Sequence, residues 1–126
     1  MNLLLDTHCL IWALADAPQL GAQGRRAIAN ATCVWFSEAS IWELGLKWRK
    51  GKIALQPRRI VEQALRDRFR AMPITLEAIM VSSELRHRHG DPFDRLIYAQ
   101  ARGSDCRLLS IDRTLAEFGA RVLSPK

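Results

Sequence analysis

The chain's 126 residues (14.3 kDa) suffice for one hydrophobic core, so a single domain over 1–126 is expected. No apolar stretch approaches the roughly 20 residues that cross a bilayer, and Asp6 interrupts an N-terminus without basic residues, so neither a membrane span nor a signal peptide is expected. The 19 Lys+Arg against 13 Asp+Glu, net +6, favour a polyanionic partner without naming one.

The chain opens on Met1-Asn2-Leu3-Leu4-Leu5-Asp6-Thr7. So short an apolar run suits a strand buried on both faces of a parallel sheet. It ends in a carboxylate and a hydroxyl, at the strand end where open α/β sheets place their ligands. Residues 7–15 read as a helix with Leu10, Ile11 and Leu14 inward, broken by Asp16-Ala17-Pro18. Residues 21–30 read as a second helix with a basic edge, and 32–36, β-branched and aromatic, as a second strand. A helix then runs from Ser37 to about Lys50 and stops at Gly51. Ile41, Leu44 and Trp48 share its apolar face, which Trp42 and Leu46 widen.

Residues 57–69 read as an amphipathic helix with Ile60, Ala64 and Leu65 inward, 72–75 as a third strand and 76–85 as a helix. Pro92 behind Asp91 is a clear helix start. That helix buries Leu96, Ile97 and Ala101 and ends at Gly103. A fourth strand (108–110), a short helix (112–118) and a last strand (121–123) complete the chain. This alternation predicts an α/β sandwich, one domain with a mostly parallel sheet. Cys9, Cys33 and Cys106 are odd in number and show no CxxC pairing, so they read as reduced core thiols of a cytoplasmic protein.

Asp6 ends the first strand, Glu43 lies one turn into the helix after the second, Asp94 is in the first turn of the helix opened by Asp91, and Asp112 follows the fourth strand by two residues. Parallel strands would bring at least three of these acids to one edge. Each also has a purely structural explanation: Asp6 and Asp112 as helix caps, Glu43 as an i,i+4 partner of Lys47, Asp94 as a first-turn residue reaching back to the Asp91 cap. Those explanations leave the convergence, and the apolar neighbours of Glu43 (Ile41, Trp42, Leu44, Leu46), unaccounted for. Clustered carboxylates raise one another's pKa unless a cation neutralises them. Oxygen-only ligands with room for water suit Mg²⁺ or Mn²⁺. Metal-dependent phosphoryl chemistry is therefore the expected activity.

In order and spacing, Leu3-Leu4-Leu5-Asp6-Thr7, Ser37-Glu38-Ala39-Ser40-Ile41-Trp42-Glu43-Leu44, Asp91-Pro92-Phe93-Asp94-Arg95-Leu96-Ile97 and Leu109-Ser110-Ile111-Asp112 resemble the PIN domain, and more narrowly the VapC-type ribonuclease toxins. The resemblance covers nearly the whole chain. It implies a three-layer α/β/α sandwich around a small, mostly parallel sheet, and an acidic Mg²⁺/Mn²⁺ site in which Asp6, Glu43 and Asp94 are the core acids and Asp112 the more variable fourth. It also implies that Thr7 holds a metal-bound water or the first carboxylate, and that Ser110 supports the last acid. The implied function is an endoribonuclease toxin that hydrolyses RNA by metal-activated water. Its partners would be a small cognate antitoxin and, in a homodimer, a second copy.

His8 stands where the family commonly has Ser. His87 and His89 read either as a solvated basic loop or as phosphate contacts at the site's mouth. Lys47, Arg49, Lys50 and Lys52 are candidates to hold the RNA backbone, or a solvated helix end suited to the dipole. Trp48 reads as core or dimer surface. An aspartyl phosphatase would want an acid two residues after Asp6, where His8 stands. A non-catalytic PIN-like RNA-binding or scaffold module is the remaining alternative.

Overall fold

The structure, a computed structural model, describes residues 1–86, 90–116, 119 and 121–126. In chain order its elements are β1 (Asn2–Leu5), α1 (Thr7–Leu14), a 3-10 turn (Pro18–Leu20), α2 (Gly21–Asn30), β2 (Cys33–Ser37), α3 (Glu38–Arg49), α4 (Pro57–Arg66), β3 (Arg70–Met72), α5 (Leu76–Glu84), α6 (Pro92–Gly103), β4 (Arg107–Leu109), α7 (Arg113–Ala116) and β5 (Val122–Leu123). The strands form one five-stranded sheet, ordered β3-β2-β1-β4-β5, and every pairing described is parallel.

The sheet divides two cores, and side-chain alternation decides which residue enters which. Leu3 and Leu5 of β1, Val34 and Phe36 of β2 and Leu109 of β4 pack with Leu10, Leu44, Ile60 and Ala64 on the α1–α4 side. Leu4, Trp35 and Leu108 point the other way, onto Ala78 of α5, Leu96 and Ile97 of α6 and Leu115 of α7. The expected three layers are therefore present. They explain why β1 is apolar at successive positions rather than alternating: both of its faces are covered.

Several boundaries differ from expectation. Helix α4 ends at Arg66, not residue 69, and the third strand is Arg70–Met72 rather than 72–75. Arg68 N donates to Leu65 O and Phe69 N to Ala64 O, a Schellman ending in which Arg68 takes a left-handed φ of 66°. No glycine marks that stop, so periodicity alone runs on through it. Pro73, lacking an N–H, stands just beyond the last strand residue. Leu65, expected inward, is 54% exposed. Trp42, Leu46 and Trp48 are likewise exposed, so α3 meets the α1–α4 core through Leu44 and half-buried Ile41, while Ala39 enters the opposite core. The short helix after β4 begins at Arg113 behind Asp112; its expected end at residue 118 lies outside the described residues.

Gly51 does end α3 as expected. It takes a φ of 74°, and Gly51 N and Lys52 N donate to Trp48 O and Lys47 O.

Candidate functional site

β1 leads to β2 and β3 on one side, while the chain later returns to place β4 and β5 on the other. The carboxyl ends of β1 and β4 are thus the switch point of the sheet, where α/β folds open a crevice. Asp6 and Ser110 stand at those two ends. Asp6 N donates to Leu109 O at 3.0 Å, and Ser110 Oγ donates to Asp6 Oδ2 at 2.6 Å. Ser110 Oγ in turn accepts from Asp112 N at 3.1 Å.

Asp6 is buried, with 3% exposure. It is the N-cap of α1, its Oδ1 accepting from Cys9 N at 2.8 Å. Cap and candidate site are the same side chain. Burial pushes its carboxyl pKa up, against the opposing pull of the Ser110 and Cys9 hydrogen bonds and of nearby His8. The Cys9 thiol is itself pushed up by burial and by the Asp6 charge, which makes it a core thiol rather than a nucleophile.

Thr7, also buried, turns the other way onto α3. Its Oγ1 lies 2.7 Å from Glu43 Oε1 and 3.0 Å from Ser40 Oγ. A hydroxyl has one proton and a carboxylate only accepts, so that proton goes to Glu43 and Ser40 donates to Thr7. Glu43 Oε2 meets Lys47 Nζ at 3.3 Å, and the Glu43 side chain is 13% exposed. Its shielding comes from Thr7 and Lys47, since Trp42 and Leu46 point to solvent. Sequence reasoning missed Ser40. Its signal was a small hydroxyl three residues before Glu43, on the same helix face.

Asp94 arrives on α6. Because α6 feeds β4, its first turn lies at the same edge as the strands' carboxyl ends. Asp91 Oδ1 accepts from Phe93 N and Asp94 N at 2.8 and 3.1 Å, the expected cap. Phe93 packs edge-on against Trp42, ring centroids 5.1 Å apart, which sets the Asp94 turn against α3 at the level of Glu43. Asp112 Oδ1 accepts from Thr114 N at 2.9 Å and Thr114 Oγ1 at 2.6 Å, capping α7. Gln100, a polar residue in the buried run of α6, was also missed. It accepts from Ser37 Oγ and donates to Met72 O and Pro73 O, at 3.3 and 3.0 Å.

Asp6, Thr7, Ser40, Glu43, Ser110 and Asp112 therefore stand in two linked groups joined by the Asp6–Thr7 peptide, with the Asp94 turn packed beside them. Among the described residues, no three His, Cys, Asp or Glu side chains are close enough together to hold a metal ion as they stand. The donor chemistry nonetheless suits a hard cation: oxygen donors throughout, and a buried Asp6 carboxylate whose hydrogen bonds come from neutral groups. A groove of about 800 Å³ between α5 and α6 holds none of the four acids. His87 and His89 lie outside the described residues.

The PIN domain family model matches residues 3–120. Ribonuclease VapC22 of Mycobacterium tuberculosis is 32% identical over 116 residues, 90% of this chain and 89% of that protein. Two similar structures are a toxin–antitoxin complex from Klebsiella pneumoniae (TM-score 0.69, 21% identity, 98% and 97% of the two chains) and VapBC2 from Rickettsia felis bound to a promoter DNA fragment (0.68, 16%, 98% and 97%). A third is Mycobacterium tuberculosis VapC20, a Sarcin-Ricin loop cleaving toxin (0.60, 21%, 93% and 95%).

Proposed function

Because the chain belongs to the PIN-domain family, and within it to the VapC-type proteins, we propose that it is a Mg²⁺- or Mn²⁺-dependent endoribonuclease and the toxin of a toxin–antitoxin pair. One observation carries this reading: the Asp6 carboxylate is buried at the switch point and bonded to neutral donors, one residue from the hydroxyl that grips Glu43. A cation held beside Asp6 would offset the desolvation that raises its pKa. Asp6, Glu43 and Asp94 would hold that ion, with Asp112 as the fourth, more variable acid. The ion supplies Lewis-acid charge for phosphodiester hydrolysis.

The chain's own residues do the rest. Ser110 and Cys9 N fix both oxygens of Asp6, Thr7 and Lys47 fix both of Glu43, and the Asp91 cap fixes the turn bearing Asp94. One of the site carboxylates takes the proton of the attacking water, and the products carry 5′-phosphate and 3′-hydroxyl ends.

The name of the 32% identical relative supports the ribonuclease assignment, and the toxin–antitoxin complexes among the structural neighbours support an antitoxin partner. Exposed Trp42, Leu46 and Trp48 offer apolar surface for the antitoxin or for a second copy in a homodimer. The same reading takes 1–126 as one nuclease domain, acting in the cytoplasm. No described helix is long and apolar enough to cross a membrane.

The test is cleavage of a total RNA pool by wild type, Asp6→Asn and Asp94→Asn, each with Mg²⁺, Mn²⁺ or EDTA. Metal-dependent cuts absent from both variants are expected. Cleavage retained in both variants would overturn the metal-site assignment. RNA binding without cleavage under any metal would favour the scaffold module instead.

A further inference from the structure

The outer side of α1 carries two aromatic rings to which the site described above gives no substrate role: His8 lies open, and Trp12 rests one edge on the α1–α4 core. Thr7, Cys9 and Leu10 are buried, whereas His8 is exposed and Trp12, one turn on, is half-buried. Their ring centroids are 5.6 Å apart and the planes are tilted by 37°. The position of this pair is fixed relative to the acids. Asp6 Oδ1 accepts from Cys9 N and Asp6 O from Leu10 N, so the backbone beyond His8 is tied to the carboxylate residue itself. His8 follows Asp6 by two residues, which keeps their Cα atoms within about 7 Å. The preceding residue, Thr7, is the one that holds Glu43.

We infer that His8 and Trp12 form a stacking platform for one unpaired RNA base, that of a nucleotide beside the phosphodiester cut at the acidic site. The inference rests on the ribonuclease reading and adds the chemistry by which RNA is selected there. Every base has a π-face, and RNA is commonly recognised in single strands whose splayed bases stack on aromatic side chains, His among them. An exposed His8 backed by a half-buried Trp12 next to an acidic site, on a chain of net charge +6, provides for base and backbone together. A ring pair serving only the stability of α1 would place no requirement on the nucleotide beside the cut.

Two measurements test this, on His8→Ala and on His8→Phe, which keeps a ring. The first is cleavage of a randomised single-stranded RNA with Mn²⁺, reading KM, kcat and the bases flanking each cut. His8→Ala is expected to raise KM about tenfold, within the range that alanine substitution gives for base–aromatic stacking. It should also flatten the preference at one flanking nucleotide, and His8→Phe should restore both.

The second needs no cleavage. Fluorescence anisotropy of a labelled oligonucleotide is read in EDTA with the Asp6→Asn protein, with and without His8→Ala. An abasic nucleotide at the flanking position should cost as much affinity as His8→Ala, and combining the two should cost no more than either. Equal losses of affinity on intact and abasic RNA would make His8 a backbone contact and overturn the platform. An unchanged flanking preference together with unchanged affinity would overturn it as well. If the wild type cuts no RNA, the ribonuclease reading falls, and stepping the abasic nucleotide along the oligonucleotide in the anisotropy arm still decides the platform: no position whose loss His8→Ala shares would overturn it.

Discussion

At the scale of single residues, Asp6 does two things that oppose each other. It caps α1 and it presents a charge where burial disfavours one. Its folded-state pKa is raised above that of the unfolded chain, so the folded protein binds more protons between the two values. The contribution of Asp6 to stability is therefore fully present below the ordinary carboxylate range, near 3.9, and is lost as pH rises through the folded value. Asp6→Asn keeps an acceptor for Cys9 N and removes the charge. In EDTA its Tm at pH 7 should equal or exceed that of wild type, with a flatter profile between pH 4 and 8. Adding Mn²⁺ should raise the wild-type Tm and leave the variant unmoved, because only a ligand of the native state stabilises it. Parallel pH profiles for the two proteins would remove the buried charge as the source. Asp6 itself was legible from the sequence because a strand end and a helix cap coincide there. The partnership of Thr7 with Ser40 was not, because it depends on the distance between α1 and α3, which no local pattern encodes.

At the scale of elements, three helices end in the same backbone bond spanning five residues, from Lys52 N, Phe69 N and Cys106 N, each preceded by a different residue in the left-handed position: Gly51 after α3, Arg68 after α4 and Asp105 after α6. Glycine adopts that conformation without steric cost and so announces itself in sequence, whereas arginine does not. This is why the end of α3 was readable and that of α4 was not. Gln100 makes the same point about packing. It binds Ser37, the N-cap of α3, and the carbonyls of Met72 and Pro73 at the end of β3, so α6 is fastened to both neighbours at the edge where the acids lie. A polar residue in an apolar run gives no hint of which partners it reaches. Gln100→Leu, of similar volume, would leave Ser37 and two carbonyls without their partner, each worth about 1–3 kcal/mol when buried and unpaired. Urea unfolding should show a loss of at least about 1 kcal/mol. Cleavage should fall as well, because the Glu43 and Asp94 helices lose a shared anchor. A variant as stable as wild type would show that the anchor is dispensable.

At the scale of the whole molecule, a chain of net charge +6 gathers acids at one sheet edge and carries exposed cations away from it. Arg49, Lys50 and Lys52 are exposed at the far end of α3, and Lys50 lies seven residues beyond Glu43, about 10 Å along the helix axis. Lys47 is different, being half-buried and paired to Glu43. The two groups should therefore fail differently. Replacing both Lys50 and Lys52 by Ala takes away two charges that would neutralise RNA phosphates whatever the base sequence. Affinity for single-stranded RNA should drop alike for all sequences, and the slope of log affinity against log salt should shrink by roughly 0.7 for each phosphate no longer neutralised. The bases flanking each cut should stay the same, in contrast to the change expected from His8→Ala. Lys47→Ala should act on the chemical step instead, because it releases one oxygen of Glu43. Binding isotherms at several salt concentrations, set beside cut-site sequencing, separate these cases. A double variant with the wild-type salt slope would move the RNA path off α3, toward the exposed arginines of α4.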